Sequence, residues 1–366
     1  MKINELPFSA SDHSLKPADI SLLQTNIVTR TKVFFKSANK ISQITVYLMY
    51  CLIYDGDVMA QAAIQYIQAR KSQLNFYRAV PLYYQNRSQS YVLYKPPGIR
   101  LSDMRIEQKL YPDKLYIKHI DKMRGIREVQ NGFNKQLEQD IKSNNSKNVR
   151  KILINIVQET FSEPRSGYLE GVSETVKILV SDFANKSDVI KNLFRVSDKD
   201  YTTVLHSINV MALAIGYAHN ENFSLADKKI LALCALLHDV GKTKIDTELL
   251  KAPRKLTDAE FQAMTSHTIH GYDILSTCKF PSEAIKLTAL QHHEKLDGSG
   301  YPKRITDISR MAKIVGLIDC YEALTNDDRP YRDAMAPLKA LTLLKDDVVA
   351  GKFSRRIFEK FAYSLI

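Results

Sequence analysis

The stretch Gln291-His292-His293-Glu294-Lys295-Leu296-Asp297-Gly298-Ser299-Gly300-Tyr301-Pro302 sets two adjacent histidines before an acidic loop kinked by two glycines. Neither packing nor solubility calls for that combination. Imidazole nitrogens and carboxylate oxygens together suit borderline first-row metals such as iron, manganese or zinc. The glycines let a backbone pass close to a bound ligand. The stretch therefore reads as a metal site feeding a substrate loop, a reading that requires further donors elsewhere in the chain.

Those donors occur in apolar, helix-like surroundings. His238-Asp239 closes the run Ile230-Leu231-Ala232-Leu233-Cys234-Ala235-Leu236-Leu237, and Gly241 follows as a helix stop. His206 lies in Thr203-Val204-Leu205-His206-Ser207-Ile208-Asn209-Val210-Met211-Ala212-Leu213-Ala214, which has the spacing of a buried helix. His267 stands in His267-Thr268-Ile269-His270-Gly271-Tyr272, and Asp319 ends the apolar run from Met311 to Ile318. A histidine or aspartate so placed is costly unless it is coordinated or hydrogen-bonded.

The order His206, His238-Asp239 with Lys242, His267 with Gly271, His292-His293, Gly300-Tyr301-Pro302 and Asp319 resembles the HD-GYP family, over roughly residues 196 to 350. That family is a branch of the HD superfamily, all-helical metal-dependent phosphohydrolases whose members typically hydrolyse the bacterial second messenger cyclic di-GMP to pGpG and onward to GMP. The resemblance implies two divalent transition metals, iron or manganese foremost, with zinc or nickel as alternatives. By the same resemblance Asp239 bridges the pair. His206, His238 and Asp319 complete one position, and His267, His292 and His293 the other. Such a pair acidifies water and polarises phosphoryl oxygens, which is what phosphodiester hydrolysis requires.

The remaining roles rest on family position. Lys242 matches a lysine that meets a substrate phosphate, although an ordinary surface lysine is the plainer reading. Asp200 matches the position that orients or deprotonates the attacking water, and as a helix-start residue it also reads as a cap. Arg329 and Arg332 resemble positions that grip phosphate and guanine. Tyr301 is expected to shape the loop or line the pocket, and Glu294 and Asp297 to order the loop or support the imidazoles.

Three departures stand out. Thr202 occupies the place of the glutamate ligand of three-metal members, which points to a two-metal site. Glu322 replaces an aspartate that in the family helps hold the lysine; it is grouped here with the substrate-binding positions, and its longer arm is expected to reorient Lys242. The spacer Thr325-Asn326-Asp327-Asp328 is one residue longer than usual before Arg329. These departures keep two alternatives open: a catalytically impaired cyclic dinucleotide receptor, and a phosphodiesterase for a related molecule such as cyclic GMP-AMP.

The rest of the chain frames this site. Its 366 residues, 45% hydrophobic, suggest more than one domain. The fold expected is an all-α HD-type catalytic domain over 196–366, preceded by a small α+β regulatory module over 1–115 and a helical connector over 116–195. Strand signals lie at Ile44–Tyr50, Asn75–Tyr84 and Ser90–Tyr94. In the connector, helices are expected to Ile141, from Val149 to Phe161 and from Gly171 to Phe183, with a break at Ser143–Ser146.

Four cysteines, Cys51, Cys234, Cys278 and Cys320, have no paired spacing, so neither a disulfide framework nor a cysteine zinc site is suggested. No signal peptide or bilayer-length apolar run appears, and a cytoplasmic location is expected. Of the net charge of +12, residues 1–150 hold +11, from 23 Lys and Arg against 12 Asp and Glu. Because that charge is dispersed, nucleic acid is not the expected partner. Cyclic di-GMP is, and family analogy adds diguanylate cyclase (GGDEF) proteins and a homodimer.

Overall fold

The computed structural model describes residues 65–101, 111–162, 164, 169–183, 203–250, 252, 254–326 and 335–365. Tyr66–Ile366 form one compact unit. The strand signal at Ile44–Tyr50 lies outside the described residues, as do Asp200, Thr202, Arg329 and Arg332.

A four-stranded antiparallel sheet begins the unit: β1 (Tyr66–Gln68), β2 (Leu82–Gln85), β3 (Tyr91–Lys95) and β4 (Tyr116–Lys118), in the order β1-β4-β2-β3. β4 lies where the sequence predicts the start of a helical connector. The alternation of Tyr116, Ile117 and Lys118 explains the difference: Ile117 is buried at 5% exposure while its neighbours pair outward with Gln68 and Tyr66. The signal from Asn75 to Tyr84 contracts to a strand only at its end, because Leu82 alone of β2 is buried against the core.

Twelve helices follow among the described residues: α1 (Lys122–Lys142), α2 (Ser146–Ser162), α3 (Val172–Phe183), α4 (Thr203–Asn220), α5 (Leu225–Leu237), α6 (Thr247–Leu250), α7 (Asp258–Thr265), α8 (His267–Ser276), α9 (Ala284–Gln291), α10 (Arg310–Thr325), α11 (Pro337–Val349) and α12 (Arg355–Ser364). α1 buries Val129, Phe133, Leu137 and Ile141 at turn spacing, so one apolar stripe faces inward. α4 and α5 are apolar nearly all round, and both are central. α5 packs against α3, α4, α9 and α10, while α4 also meets α2, α10 and α12. Ser224 caps α5 by accepting from the Asp227 amide, and Thr257 with Glu260 forms a reciprocal cap on α7. A single hydrophobic core runs from the sheet through α1–α3 into α4, α5 and α10.

Candidate metal centre

Three helix ends and two helix bodies bring the sequence donors to one point. His206 projects from the first half of α4 and Asp319 from α10. His238 and Asp239 follow the last turn of α5, His267 opens α8, and His292 and His293 follow α9. Because helix termini leave backbone groups without intrahelical partners, these turns can be tied down by other means. The segment after Asp239, Val240–Lys244, is a tight turn that lies against α8. Gly241 is required there for close approach, since a Cβ would come within 1.9 Å of the His267 carbonyl oxygen.

All seven residues gather. Their donor atoms fall into three overlapping groups: Asp239, His267, His292 and His293; His206, His238 and Asp239; and His238, His292 and Asp319, each within 4.8 Å. Asp239 is the common member of the first two, and its oxygens face opposite ways. Oδ2 lies 3.5 Å from His206 Nε2 and 3.4 Å from His238 Nε2. Oδ1 lies 3.3 Å from His267 Nε2 and 3.7 Å from His292 Nε2. Asp319 Oδ1 sits 3.0 Å from His206 Nε2, and its Oδ2 lies 3.8 Å from His293 Nδ1.

Outer contacts orient the rings. His238 Nδ1 lies 2.7 Å from the Ala235 carbonyl, His267 Nδ1 2.7 Å from that of Met264, and His292 Nδ1 3.0 Å from that of Ala289. A carbonyl can only accept, so each Nδ1 carries the proton and each Nε2 lone pair points inward. His206 differs, because its Nδ1 meets the carboxylate of Glu322 at 2.6 Å.

The electrostatics are those of a cation site. Burial disfavours charge on every group here. For Asp239 that penalty is outweighed by Lys242 and His238, and for Asp319 by His206, so both carboxyls are held well below the usual carboxylate range. Burial pushes His267 down to about 4 and His292 down to about 3, and His293 also falls well below its ordinary value. Burial likewise opposes a charged His206, but Glu322 and Asp319 prevail and raise it to about 9. The neutral rings of His267, His292 and His293 beside the ionised Asp239 and Asp319 form a donor set that attracts positive charge. Asp239 Oδ1 is buried with no hydrogen-bond partner, a costly state that a divalent cation would relieve. The residues therefore fit a histidine- and carboxylate-bound transition metal.

Lys242 places Nζ 2.5 Å from Asp239 Oδ2 and remains 22% exposed, at the open side of the cluster. Glu322 does not touch it, so the lysine is held by a different carboxylate from the one expected. Tyr301 stacks toward His293, with ring centroids 4.6 Å apart. Gly300 lets this loop fold back, because a Cβ would meet the Lys295 amide nitrogen at 2.4 Å. Glu294 accepts from the amides of Lys303 (2.7 Å) and Ile305 (3.2 Å), and Asp297 accepts from Ser299; both order the loop rather than the imidazoles.

Two neighbours escaped the sequence reading. Asn209 donates to Glu322, a contact signalled by its position one turn after His206. Phe261, 53% exposed on α7, stands 6.0 Å from Tyr301 and extends an aromatic strip outward from His293; its sequence context gave no such signal.

Residues 186–356 match the family model described as HD domain. The ordered motifs of the chain, from His206 through Gly300-Tyr301-Pro302 to Asp319, resemble those of the HD-GYP branch of that family. HD domains bind divalent metals. A cyclic di-GMP phosphodiesterase of Pseudomonas aeruginosa is 30% identical over 191 residues, covering 52% of this chain and 45% of the relative. The 3'3'-cGAMP-specific phosphodiesterase 3 of Vibrio cholerae is 36% identical over 155 residues, covering 42% of this chain and 33% of the relative. The chain thus spans less than half the length of either. An HDG"Y"P protein from Bdellovibrio bacteriovorus shares the fold, with a TM-score of 0.57 at 18% identity, covering 82% of this chain and 99% of that one. No helix among the described residues is long and apolar enough to cross a membrane.

Proposed function

We propose that this chain is a metal-dependent phosphodiesterase that opens a cyclic dinucleotide, with cyclic di-GMP as substrate and linear pGpG, then GMP, as products. The observation that carries this reading is the division of Asp239, whose two oxygens serve separate imidazole pairs and so suit two cations rather than one. His206, His238 and Asp319 would hold one and His267, His292 and His293 the other, with iron or manganese the best match to the donors. When bound, these cations supply Lewis acidity toward phosphoryl oxygens and lower the pKa of water.

The chain's own groups supply the rest. Lys242 stands beside Asp239 at the open side, where its ammonium can turn from the carboxylate to an incoming phosphate. Tyr301 and Phe261 offer aromatic surface to a purine, which favours a nucleotide over a simple phosphate diester. Asp200 is the proposed residue for orienting the attacking water, and Arg329 and Arg332 for the phosphates and base. Hydrolysis of an intracellular messenger would require a cytoplasmic location.

Anaerobically purified, metal-analysed protein incubated with cyclic di-GMP, 3'3'-cGAMP and bis(p-nitrophenyl) phosphate tests this. The expected result is linear product from cyclic di-GMP. Preferential turnover of 3'3'-cGAMP would move the chain to the second substrate seen among its relatives. Binding without turnover by fully metallated protein would make it a receptor.

A further inference from the structure

His206 is held differently from its neighbours, and the difference lies in one side chain. The outward nitrogens of His238, His267 and His292 all meet backbone carbonyls. His206 Nδ1 instead meets Glu322 Oε2 at 2.6 Å, with Glu322 only 3% exposed. Asp319 and Glu322 stand one turn apart on α10 and so share a face. Between them they grip both nitrogens of the same ring, Asp319 from the inner side at 3.0 Å and Glu322 from the outer.

The other oxygen of Glu322 is itself held in place. Oε1 accepts from Asn209 Nδ2 at 2.9 Å and from Asn326 Nδ2 at 2.6 Å. Asn209 lies on α4, one turn beyond His206, and Asn326 caps the end of α10. With both oxygens occupied and the side chain buried, Glu322 faces neither Lys242 nor an incoming substrate.

We propose that Glu322 is the positioning residue for His206: it fixes the imidazole with its proton on Nδ1 and its Nε2 lone pair toward Asp319 and Asp239, and thereby sets cation affinity at that half of the centre. An ionised acceptor also makes the ring a stronger donor than a carbonyl does. The length of the side chain is what permits this. An aspartate at 322 would be shorter by one C–C bond, roughly 1.5 Å, and would lose the 2.6 Å contact. The proposal rests on the two-cation reading above but not on any substrate.

The test is a Mn²⁺ titration of the metal-free full chain by calorimetry, without nucleotide, for the wild type and for Glu322→Gln, Glu322→Asp and Glu322→Ala. Glutamine keeps an acceptor for Nδ1–H and should bind two equivalents within a few-fold of wild type. Asp and Ala should each weaken one of the two equivalents by roughly 10- to 100-fold. If the Ala variant fails to fold, the comparison rests on Gln, which keeps the side-chain length, against Asp, which keeps the charge. A second readout is the Nδ1–H proton of His206 in NMR spectra of the Zn²⁺-loaded protein, expected far downfield in wild type and lost in Glu322→Asp. Unchanged Mn²⁺ affinity in the Asp and Ala variants, or a loss confined to the KM for dinucleotide, would overturn the proposal. A chain that binds two Mn²⁺ with this pattern but opens no cyclic dinucleotide would overturn the proposed function and leave this role standing.

Discussion

Lys95 in the sheet and Asp239 in the helical core are both almost wholly buried, at 3% and 1% exposure, yet their surroundings treat them in opposite ways. Lys95 donates to the carbonyls of Arg78, Pro96 and Ile99 at 2.8–3.2 Å, a complete set of three acceptors for its three protons. Nearby Glu128, on α1, accepts from the amides of Arg78, Ala79 and Val80. The sheet thus closes its charges with its own backbone. Asp239 has a partner for one oxygen and a hydrogen-bond vacuum at the other, which faces two imidazole lone pairs. A buried charge that is completed internally is architecture, whereas one left incomplete among neutral donors specifies a cation from outside.

Asp239→Asn breaks the comparison most severely. The amide cannot supply two anionic oxygens, so metal-loaded activity should fall by roughly 10²–10³-fold or more, and the Mn²⁺ stoichiometry should drop. The metal-free melting temperature should fall, because Lys242 loses the carboxylate that it helps to hold ionised. A variant that kept two cations and wild-type turnover would remove Asp239 from the centre of the argument.

Acidity probes the same centre without mutation. In metal-free protein, His267 and His292 have folded values of about 4 and about 3, below the unfolded value near 6.5. The unfolded chain then binds more protons, and stability falls as pH drops from about 6.5 toward those values. His206, raised to about 9, works in the other direction: its contribution is complete below about 6.5 and is lost as pH rises through about 9. Melting curves of chelated protein should therefore peak near neutrality. Metal loading should abolish the alkaline decline, since a cation then replaces the His206 proton. An alkaline decline that persists in loaded protein would contradict that replacement.

The contrast between the two ends also explains what the sequence made legible. Donor identity and order sufficed for the centre, because His206, His238, Asp239, His267, His292, His293 and Asp319 are polar residues in runs whose apolar neighbours fix the burial. The break at Ser143–Ser146 and the helices on either side were equally plain, since α1 and α2 carry strong apolar stripes. Glu322 was not legible. Charge and position were visible, but the direction of its longer arm depends on where Asn209 and His206 stand across the helix pair. In the sheet, Ile117 was read as helical because a three-residue strand has too short a period to outweigh the long helical pattern after it.

Lys95→Met sharpens the comparison from the sheet side. Methionine matches the length and apolar stem but leaves three carbonyls without their donor, a loss of about 1–3 kcal/mol. Thermal melting should fall accordingly, while Mn²⁺ affinity and turnover stay at wild-type levels. Loss of metal binding in a folded Lys95→Met protein would show that the two ends are coupled rather than independently completed.

The smallest expected effect belongs to Asp297→Asn. Its position five residues after His292 invites a supporting role, but its carboxylate is exposed and accepts from the Ser299 amide at 2.9 Å and hydroxyl at 2.7 Å. The asparagine oxygen can accept both bonds in the same turn, so the change should cost within about 0.5 kcal/mol. Because the imidazoles are oriented by Ala235, Met264, Ala289 and Glu322 instead, metal content after dialysis should equal that of wild type. A fall in metal content would mean that Asp297 reaches the imidazoles when cations are bound, and that the loop, like Asp239, is completed only by the metal.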